Sequence, residues 1–453
     1  MKSIHFVAIG GAIMHQLAIA LQTMGHTITG SDDEIEDPAK TNLTNAGILP
    51  PKTGWFPQKI TPSLDAVVLG MHAKADNPEL LAAQKLGIPI MSFPEYIYEV
   101  SKNKTRVVVA GSHGKTTVTS MIMHILKHNG IDFDYMVGAK VAGFDGSVKL
   151  SNAPLIILEG DEYPASAIER KPKILFYHPN ITVLTGIAWD HINVFPTYSN
   201  YFSQFTGYLN GLEPQTKVVY NEEDAEVCRA VAASTADTVK IPYRTPRWEY
   251  SDGEFKVVTG IGSFPISVFG KHNLQNIAAA IEVCRELGIH WTKSLEAIAS
   301  FTGAAKRLEK LYETPTLKVF RDFAHAPSKL KATLDAVREA FPNHFLLACF
   351  ELHTYSSLNK DFMVQYAGSM DKADRAIVYY SHHALEIKGL PEVATQDVAA
   401  GFANPLLSVT TDSAQLVDYV TSAIEASDRP TFLLLMSSGT FGGIDWKNVC
   451  SHI

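Results

Sequence analysis

The sequence GSHGKTT at Gly111–Thr117 stands between the β-rich run Val107–Ala110 and the helical run Val118–His128. A strand, a glycine turn and a helix start in this order predict a phosphate-binding loop, because unpaired backbone N–H groups and the helix dipole face an anion there. The full P-loop pattern asks for glycine five residues before Gly114, where this chain has Val109. A chance GKT in an ordinary loop is the alternative, which the flanking strand and helix disfavour.

Each residue type in this loop has an expected task. Lys115 would reach the β and γ phosphates of a nucleotide, and the hydroxyl of Thr116 would bind Mg²⁺. The candidate nucleotide-binding residues of the loop are Gly111, Ser112, His113, Gly114, Lys115, Thr116 and Thr117.

Strands and helices alternate on both sides of the loop, which predicts an α/β fold with three successive units. The first unit covers 1–102 and contains the predicted strands Ile4–Ile9, His26–Gly30, Ala66–Gly70 and Ile88–Met91. The second covers 103–305, with strands Arg106–Ala110, Leu155–Leu158 and Ile181–Thr185 and a helix Asn273–Leu287. The third covers 306–453, with strands Leu317–Phe320, Phe345–Phe350, Ala376–Tyr379 and Phe432–Met436.

Composition excludes several classes of protein. The 453 residues, 46% hydrophobic and 19% charged, suit a globular chain of about three domains. A net charge of -8 argues against nucleic acids or an anionic membrane as the main partner. Apolar runs such as Thr431–Met436 are far shorter than the ~20 residues that cross a bilayer. Four scattered cysteines without CxxC disfavour disulfides and zinc, so a cytoplasmic protein is expected.

The glycine pair Gly10-Gly11 follows the first predicted strand, with Asp32 about 20 residues further on. This arrangement resembles a dinucleotide fingerprint, but the third glycine is missing. A phosphate site and a plain turn between strand and helix both remain open.

An acidic run, Glu159-Gly160-Asp161-Glu162, ends the strand Leu155–Leu158 at the edge where open parallel sheets bind ligands. Its carboxylates repel one another, so either a divalent cation compensates them or they form a solvated strand exit. The phosphate loop favours Mg²⁺. His191 follows the strand Ile181–Thr185, and we expect Glu159 and His191 to end neighbouring strands and to share the cation.

Two further groups are less specific on their own. Asn273 and Asn276 share one helix face and would read a purine edge, although Asn273 would also serve as a helix cap. The segments Lys306–Glu309 and Asp322–Pro327 flank the strand Leu317–Phe320 and, taken alone, would be surface loops.

Six motifs in order, GSHGKTT, EGDE, WDH, GKHNLQN, KRLE and DFAHAP, together resemble the Mur ligase family, the ATP-dependent peptide ligases of peptidoglycan assembly. The resemblance extends from Gly10 to Gly443. It implies an N-terminal Rossmann-like UDP-binding domain, a central P-loop ATPase domain and a C-terminal Rossmann-like domain. The implied ligands are ATP, Mg²⁺, UDP-N-acetylmuramate and a muropeptide, with a monomer or weak dimer and neither nucleic acid nor membrane as partner.

The resemblance also implies residue roles. The catalytic candidates are Lys115, Glu159, His191 and Arg307, and the metal candidates are Thr116, Glu159 and His191. The nucleotide candidates beyond the phosphate loop are Asn273, Asn276, Arg307, Asp322 and His325. The UDP-sugar candidates are Gly10, Gly11, Ser31 and Asp32. The peptide candidates are His353, Tyr355, Ser356, Ser438 and Gly439.

Within the family, the chain is most similar to the branch that joins a preformed peptide to UDP-N-acetylmuramate in cell-wall recycling. The supporting features are the Glu159–His191 spacing, DFAH at Asp322–His325 and MSSGTFGGI at Met436–Ile444. The implied peptide is L-alanyl-γ-D-glutamyl-meso-diaminopimelate. The alternatives are the L-alanine-adding ligase and a non-catalytic UDP-sugar sensor. No lysine occurs between His191 and Lys217, which disfavours a carbamylated lysine at the metal.

Overall fold

A computed structural model describes residues 1–71, 73–166, 168–189, 192, 194–251, 254–303 and 308–452. The chain forms two compact units. The first comprises Met1–Ile187, Phe202–Arg244 and Ala279–Ala297, and the second comprises Ala188–Tyr201, Thr245–Ala278 and Ile298–Ile453. No helix in the described ranges is long and apolar enough to cross a bilayer.

The N-terminal residues form a four-stranded parallel sheet in the order β2-β1-β3-β4. Its elements are β1 (Ser3–Val7), α1 (Ala12–Thr23), β2 (Thr27–Ser31), α2 (Ala39–Asn45), β3 (Ala66–Leu69), α3 (Pro78–Leu86), β4 (Ile90–Ser92) and α4 (Phe93–Ser101). Strand β1 lies inside the sheet and is buried on both faces, with Ile4 and Phe6 in one apolar cluster and Val7 in another. His5 is buried between them, and its ring nitrogens lie within hydrogen-bond distance of Thr29 Oγ1 and Glu79 Oε2. The predicted strands of this region are confirmed within about two residues.

The central residues form a seven-stranded sheet in the order β11-β10-β9-β5-β8-β6-β7, in which only β7 is antiparallel. Its strands and helices are β5 (Thr105–Ala110), α5 (Lys115–His128), β6 (Asp134–Met136), β7 (Val148–Lys149), β8 (Leu155–Glu159), β9 (Ile181–Leu184), α6 (Tyr198–Asn210), β10 (Lys217–Asn221), α7 (Ala225–Ala233) and β11 (Val239–Tyr243). One expectation is wrong. The strand of Glu159, β8, and the strand that precedes His191, β9, are not neighbours, because β5 lies between them and pairs with both.

A smaller antiparallel sheet of three strands follows, and two helices come after it. These elements are β12 (Trp248–Ser251), β13 (Glu254–Thr259), β14 (Gly262–Ile266), α8 (Lys271–Glu286) and α9 (Trp291–Ile298).

The C-terminal residues form a six-stranded sheet in the order β15-β16-β20-β17-β18-β19, in which only β15 is antiparallel. Its elements are β15 (Glu309–Glu313), β16 (Leu317–Asp322), α10 (Pro327–Ala340), β17 (Phe345–Glu351), α11 (Tyr355–Leu358), α12 (Lys360–Met363), β18 (Arg375–Tyr379), α13 (His382–Ile387), α14 (Thr395–Phe402), β19 (Leu407–Thr410), α15 (Ser413–Glu425), β20 (Thr431–Met436) and α16 (Trp446–Cys450). Parallel sheets with crossover helices confirm the expected α/β class. The domain boundaries near 102 and 305 stay predictions.

A buried arginine fastens the start of β5 to the segments on either side. Arg106 is only 8% exposed, and its guanidinium donates to five backbone carbonyls of the described residues. The carbonyls are those of Tyr177, His178, Ser101, Lys102 and Lys104, at 2.8 to 3.0 Å. Arg106 therefore holds the end of α4, the first residues of the central sheet and the approach to β9 in one arrangement.

We expect Arg106→Met to lower the free energy of unfolding by about 3 kcal/mol, because several buried carbonyls would lose their donor. Denaturant unfolding of the purified variant measures the loss. Arg229→Met is the control, because the Arg229 side chain is 53% exposed. A loss below about 1 kcal/mol at Arg106 would show that water replaces the guanidinium without cost.

Candidate functional site

The phosphate loop is shaped by a close approach of two backbones. Gly111 has φ +131°, and a Cβ there would lie 2.2 Å from the hydroxyl oxygen of Thr185, so only glycine fits. The Thr185 hydroxyl donates to the carbonyls of Ala110, at 3.1 Å, and His113. The loop Gly111–Gly114 is thus held by the residue that directly follows β9.

A second set of contacts fixes the middle of the loop. Both the backbone N–H and the hydroxyl of Ser112 donate to the Gly186 carbonyl, at 2.9 and 3.0 Å. Helix α5 begins directly after the loop, at Lys115. The strand, loop and helix start predicted from the sequence are confirmed, and hydrogen bonds to Thr185 and Gly186 hold the loop backbone between them.

Lys115 points into a group of carboxylates. Its ammonium donates to the Gly111 carbonyl at 2.5 Å and to Glu162 Oε2 at 3.1 Å. Burial opposes the charge, but the carboxylates of Glu162, Asp161 and Glu159 outweigh burial and raise the pKa of Lys115. Lys115 is therefore a cation at neutral pH, and a phosphate would compete with Glu162 for it.

The other carboxylates of the acidic run have partners of their own. Glu159 Oε1 accepts from the Thr116 hydroxyl and Oε2 from the Gly138 N–H, both at 2.8 Å. Asp161 Oδ2 accepts from Lys173 Nζ at 2.8 Å. Burial raises the pKa of Asp161, but Lys173 and Lys115 more than offset that effect and lower it. The alternative of a solvated strand exit is wrong for Glu162, which is buried against Lys115 at 1% side-chain exposure.

The Thr116 and Glu159 oxygens are the donors suited to a hard cation. A hydroxyl and a carboxylate already in contact at the end of β8 fit Mg²⁺, which takes few protein ligands and completes its shell with water and phosphates. No cluster of three or more His, Cys, Asp or Glu ligands occurs among the residues that the structure describes. His191 lies outside the described residues, so its sharing of a cation with Glu159 stays a prediction.

The structure brings together the UDP-sugar candidates at the carboxyl ends of β1 and β2. The Gly10 N–H donates to Asp32 Oδ2 at 2.7 Å. The backbone carbonyl of Ser31 accepts from the N–H groups of Ala8 and Ile9. Gly11 directly precedes α1. Burial raises the pKa of the Asp32 carboxyl to about 6, although the Gly10 N–H acts in the opposite direction. An anion at this loop would have to displace the Asp32 carboxylate or bind beside it.

The nucleotide-base candidates lie in the second unit. Asn273 is the third residue of α8, so the alternative in which it simply caps the helix is wrong. Its side-chain amide donates to the Phe269 carbonyl at 2.9 Å, and the Asn276 amide lies 3.5 Å from Asn273 Oδ1. Both asparagines are buried on one helix face, as their spacing predicts.

Asp322 organises the chain at the start of β15. Its carboxylate accepts from the N–H groups of Leu308 and Ala324, both at 2.8 Å. His325 Nδ1 lies 2.8 Å from the Phe323 carbonyl. Asp322 is thus buried and holds two backbone N–H groups, whereas its motif, taken alone, predicted a surface loop. Arg307 lies outside the described residues.

The peptide candidates gather where the neighbouring strands β17 and β20 end. The buried Glu351 carboxylate accepts from the Phe441 N–H at 2.8 Å and from the Ser437 hydroxyl. A Cβ on Gly439 would lie 2.8 Å from both Glu351 Oε2 and His353 Nδ1. His353 and Gly439 are therefore in contact, and burial lowers the pKa of His353 although Glu351 acts to raise it.

The remaining three peptide candidates are less closely joined. Ser356 is buried, and its hydroxyl accepts from the Ile192 N–H at 3.3 Å. Tyr355 is 37% exposed. The Ser438 hydroxyl is buried and has no hydrogen-bond partner within the described part of the chain.

Sequence reasoning missed four residues that shape these sites. They are Gly138, Lys173, Thr185 and Glu351. Thr185 and Glu351 stand at strand ends and were detectable as polar residues after apolar runs. Gly138 and Lys173 are distant from the motifs they contact and left no local signal.

Two family descriptions match this sequence. "Mur ligase family, catalytic domain" matches residues 3–105, and "Mur ligase middle domain" matches residues 109–284. A UDP-N-acetylmuramate--L-alanine ligase of Sulfurihydrogenibium sp. (strain YO3AOP1) is 31% identical over 384 residues, which cover 83% of this chain and 82% of the relative. The chain belongs to the Mur ligase family.

Two other Mur ligases match almost end to end. The UDP-N-acetylmuramate--L-alanyl-gamma-D-glutamyl-meso-2,6-diaminoheptandioate ligase of Escherichia coli (strain K12) is 26% identical over 456 residues, 98% of this chain and 97% of the relative. The crystal structure of a murein peptide ligase from Psychrobacter arcticus 273-4 superposes with a TM-score of 0.63 at 23% identity, covering 100% of this chain and 98% of that one. The latter match shows the shared three-domain fold.

As a Mur ligase, this chain is an ATP-dependent enzyme that forms amide bonds in peptidoglycan synthesis or recycling. Its substrates are peptides or amino acids and precursors derived from UDP-N-acetylmuramate. The alternative of a non-catalytic UDP-sugar sensor is wrong.

Proposed function

We propose that this Mur ligase joins L-alanyl-γ-D-glutamyl-meso-diaminopimelate to UDP-N-acetylmuramate, with ATP converted to ADP and phosphate, in peptidoglycan recycling. The observation that carries the proposal is the near end-to-end match with the E. coli relative that bears this activity in its name. The glycine-rich segment Ser437–Gly443 supports it, because this segment follows β20 at a ligand-binding edge and contacts His353.

A second candidate is ligation of free L-alanine to the same nucleotide sugar. The 31% identity with an L-alanine ligase over most of both chains favours it. Both candidates use the same nucleotide sugar and differ in the acceptor amine alone.

In the proposed reaction, the substrate carboxylate attacks the γ-phosphorus of ATP, the bond to the β-γ bridging oxygen breaks, and ADP leaves. The neutral acceptor amine then attacks the acyl phosphate, loses a proton and expels phosphate. Lys115 would leave Glu162 and bind the phosphates, whose charge grows in both steps. Because the amine must be neutral, the rate should rise with pH as that amine deprotonates.

Other residues would hold the substrates. Thr116 and Glu159, with His191, would hold Mg²⁺, which offsets phosphate charge when bound. Asn273 and Asn276 would read the adenine, with Arg307, Asp322 and His325 near the nucleotide. Gly10, Gly11, Ser31 and Asp32 would bind the UDP-sugar, and His353, Tyr355, Ser356, Ser438 and Gly439 the peptide. A cytoplasmic location and a monomer or weak dimer complete the proposal.

The acceptor preference is tested by ADP release with UDP-N-acetylmuramate and four acceptors: L-alanine, the dipeptide, the tripeptide and the tetrapeptide. We expect kcat/KM for the tripeptide to exceed that for L-alanine by at least about 100-fold, because a site built for a long peptide leaves polar groups unpaired around a single residue. A value for L-alanine equal to or above that for the tripeptide would replace the first candidate by the second.

A further inference from the structure

Lys173 is a largely buried cation outside every motif discussed so far. It follows the acidic run by eleven residues and donates to Asp161 Oδ2 at 2.8 Å, with 12% of its side chain exposed. Its ammonium lies 5.5 Å from the ring centroid of Phe93 and 5.8 Å from that of Tyr163. An ion pair and two aromatic rings therefore fix its position.

These contacts place Lys173 at the edges of two sheets within the first unit. Phe93 directly follows β4, so it marks the carboxyl edge of the N-terminal sheet. Asp161 comes two residues after β8, at the carboxyl edge of the central sheet. Open α/β sheets bind ligands at their carboxyl edges. Lys173 thus stands where a ligand on the N-terminal sheet would approach a ligand on the phosphate loop.

The chemistry at that junction requires positive charge. The carboxylate of the acyl substrate must approach the γ-phosphate, which is also negative. The acidic run already contributes three carboxylates there, and only two lysines pair with them among the described residues, Lys115 and Lys173. Lys115 is assigned to the phosphates. An ammonium has three N–H donors, so Lys173 can keep Asp161 and bind a second carboxylate.

We propose that Lys173 binds the carboxylate of UDP-N-acetylmuramate and positions it for attack on ATP. This inference rests on the proposed function, whose nucleotide sugar carries that carboxylate. It adds a substrate-binding residue to the site. The competing explanation is that Lys173 only neutralises Asp161 and packs the loop.

The test is calorimetric binding of two nucleotide sugars to the full chain, without peptide. UDP-N-acetylmuramate carries the carboxylate, and UDP-N-acetylglucosamine is the same molecule without the lactyl group. The variants are Lys173→Met, which keeps an apolar stem for the two rings, and Lys173→Arg, which keeps the charge. Lys171→Met is the matched control, because Lys171 is exposed and lies two residues away.

We expect Lys173→Met to weaken UDP-N-acetylmuramate binding at least about 10-fold and to leave UDP-N-acetylglucosamine binding unchanged. Lys173→Arg should recover most of the loss, and Lys171→Met should bind both sugars as the wild type does. Equal weakening for both sugars, or no weakening for either, would overturn the role of Lys173 and leave the proposed function standing. Failure of the wild-type chain to bind UDP-N-acetylmuramate would overturn the proposed function itself.

Discussion

Replacing Lys115 with alanine is expected to lower kcat/KM for ATP-dependent ligation by at least about 100-fold, because the growing charge on the phosphates would lose its nearest cation. Steady-state ADP release at saturating acceptor measures the effect. Lys127→Ala is the matched control, since Lys127 is an exposed lysine near the end of the same helix, α5. Activity of Lys115→Ala close to that of the control would refute the phosphate-loop assignment.

Loss of Lys115 also leaves the buried Glu162 carboxylate without its lysine, so this variant should unfold at a lower temperature than the wild type. The double variant Lys115→Ala/Glu162→Gln removes the uncompensated charge. We expect it to recover most of the thermal stability and to remain inactive. Recovery of activity together with stability would show that Lys115 serves the fold alone.

The second large effect is expected at Glu159. Glu159→Gln keeps the size of the side chain but removes the charge that would hold Mg²⁺ beside Thr116. We expect kcat to fall by about 100-fold and the Mg²⁺ concentration for half-maximal rate to rise by at least about 10-fold. A Mg²⁺ titration of ADP release measures both quantities.

Glu169→Gln provides the comparison for Glu159, because Glu169 lies ten residues further along the same connection and its carboxylate accepts from the Lys171 N–H in its own turn. Its Mg²⁺ dependence should match that of the wild type. If Glu159→Gln also keeps the wild-type Mg²⁺ dependence, then Glu159 is no metal ligand and its bonds to Thr116 and Gly138 are structural.

Local sequence is sufficient to predict most central strands of the parallel sheets. Buried parallel strands such as β5, β8 and β20 contain continuous apolar runs bounded by glycine or polar residues, so each is visible by itself. The edge strand β11, with its exposed residues, gave no such signal. Strand order was also invisible locally, which is why β8 and β9 were wrongly expected to be neighbours.

The candidate site also has residues that local sequence predicts and contacts that it does not. Lys115, Thr116 and Glu159 were predictable because a glycine turn and an acidic strand end carry their own chemistry. The partner of each charge was not predictable. Glu162 pairs with Lys115 and Asp161 with Lys173 through contacts that depend on how a loop folds back after β8. Two carboxylates of the acidic run therefore form separate ion pairs, and the third, Glu159, accepts from a hydroxyl and a backbone N–H.

The contact of Gly439 with Glu351 and His353 limits how acceptor choice can change by mutation. Any side chain at 439 would collide with both neighbours, and Glu351 is needed to hold Ser437 and Phe441. Substitutions at Gly439 should thus yield mostly misfolded clones. A directed-evolution library aimed at new acceptors should therefore keep His353 and 437–443 constant and vary exposed positions beside them, such as Tyr355.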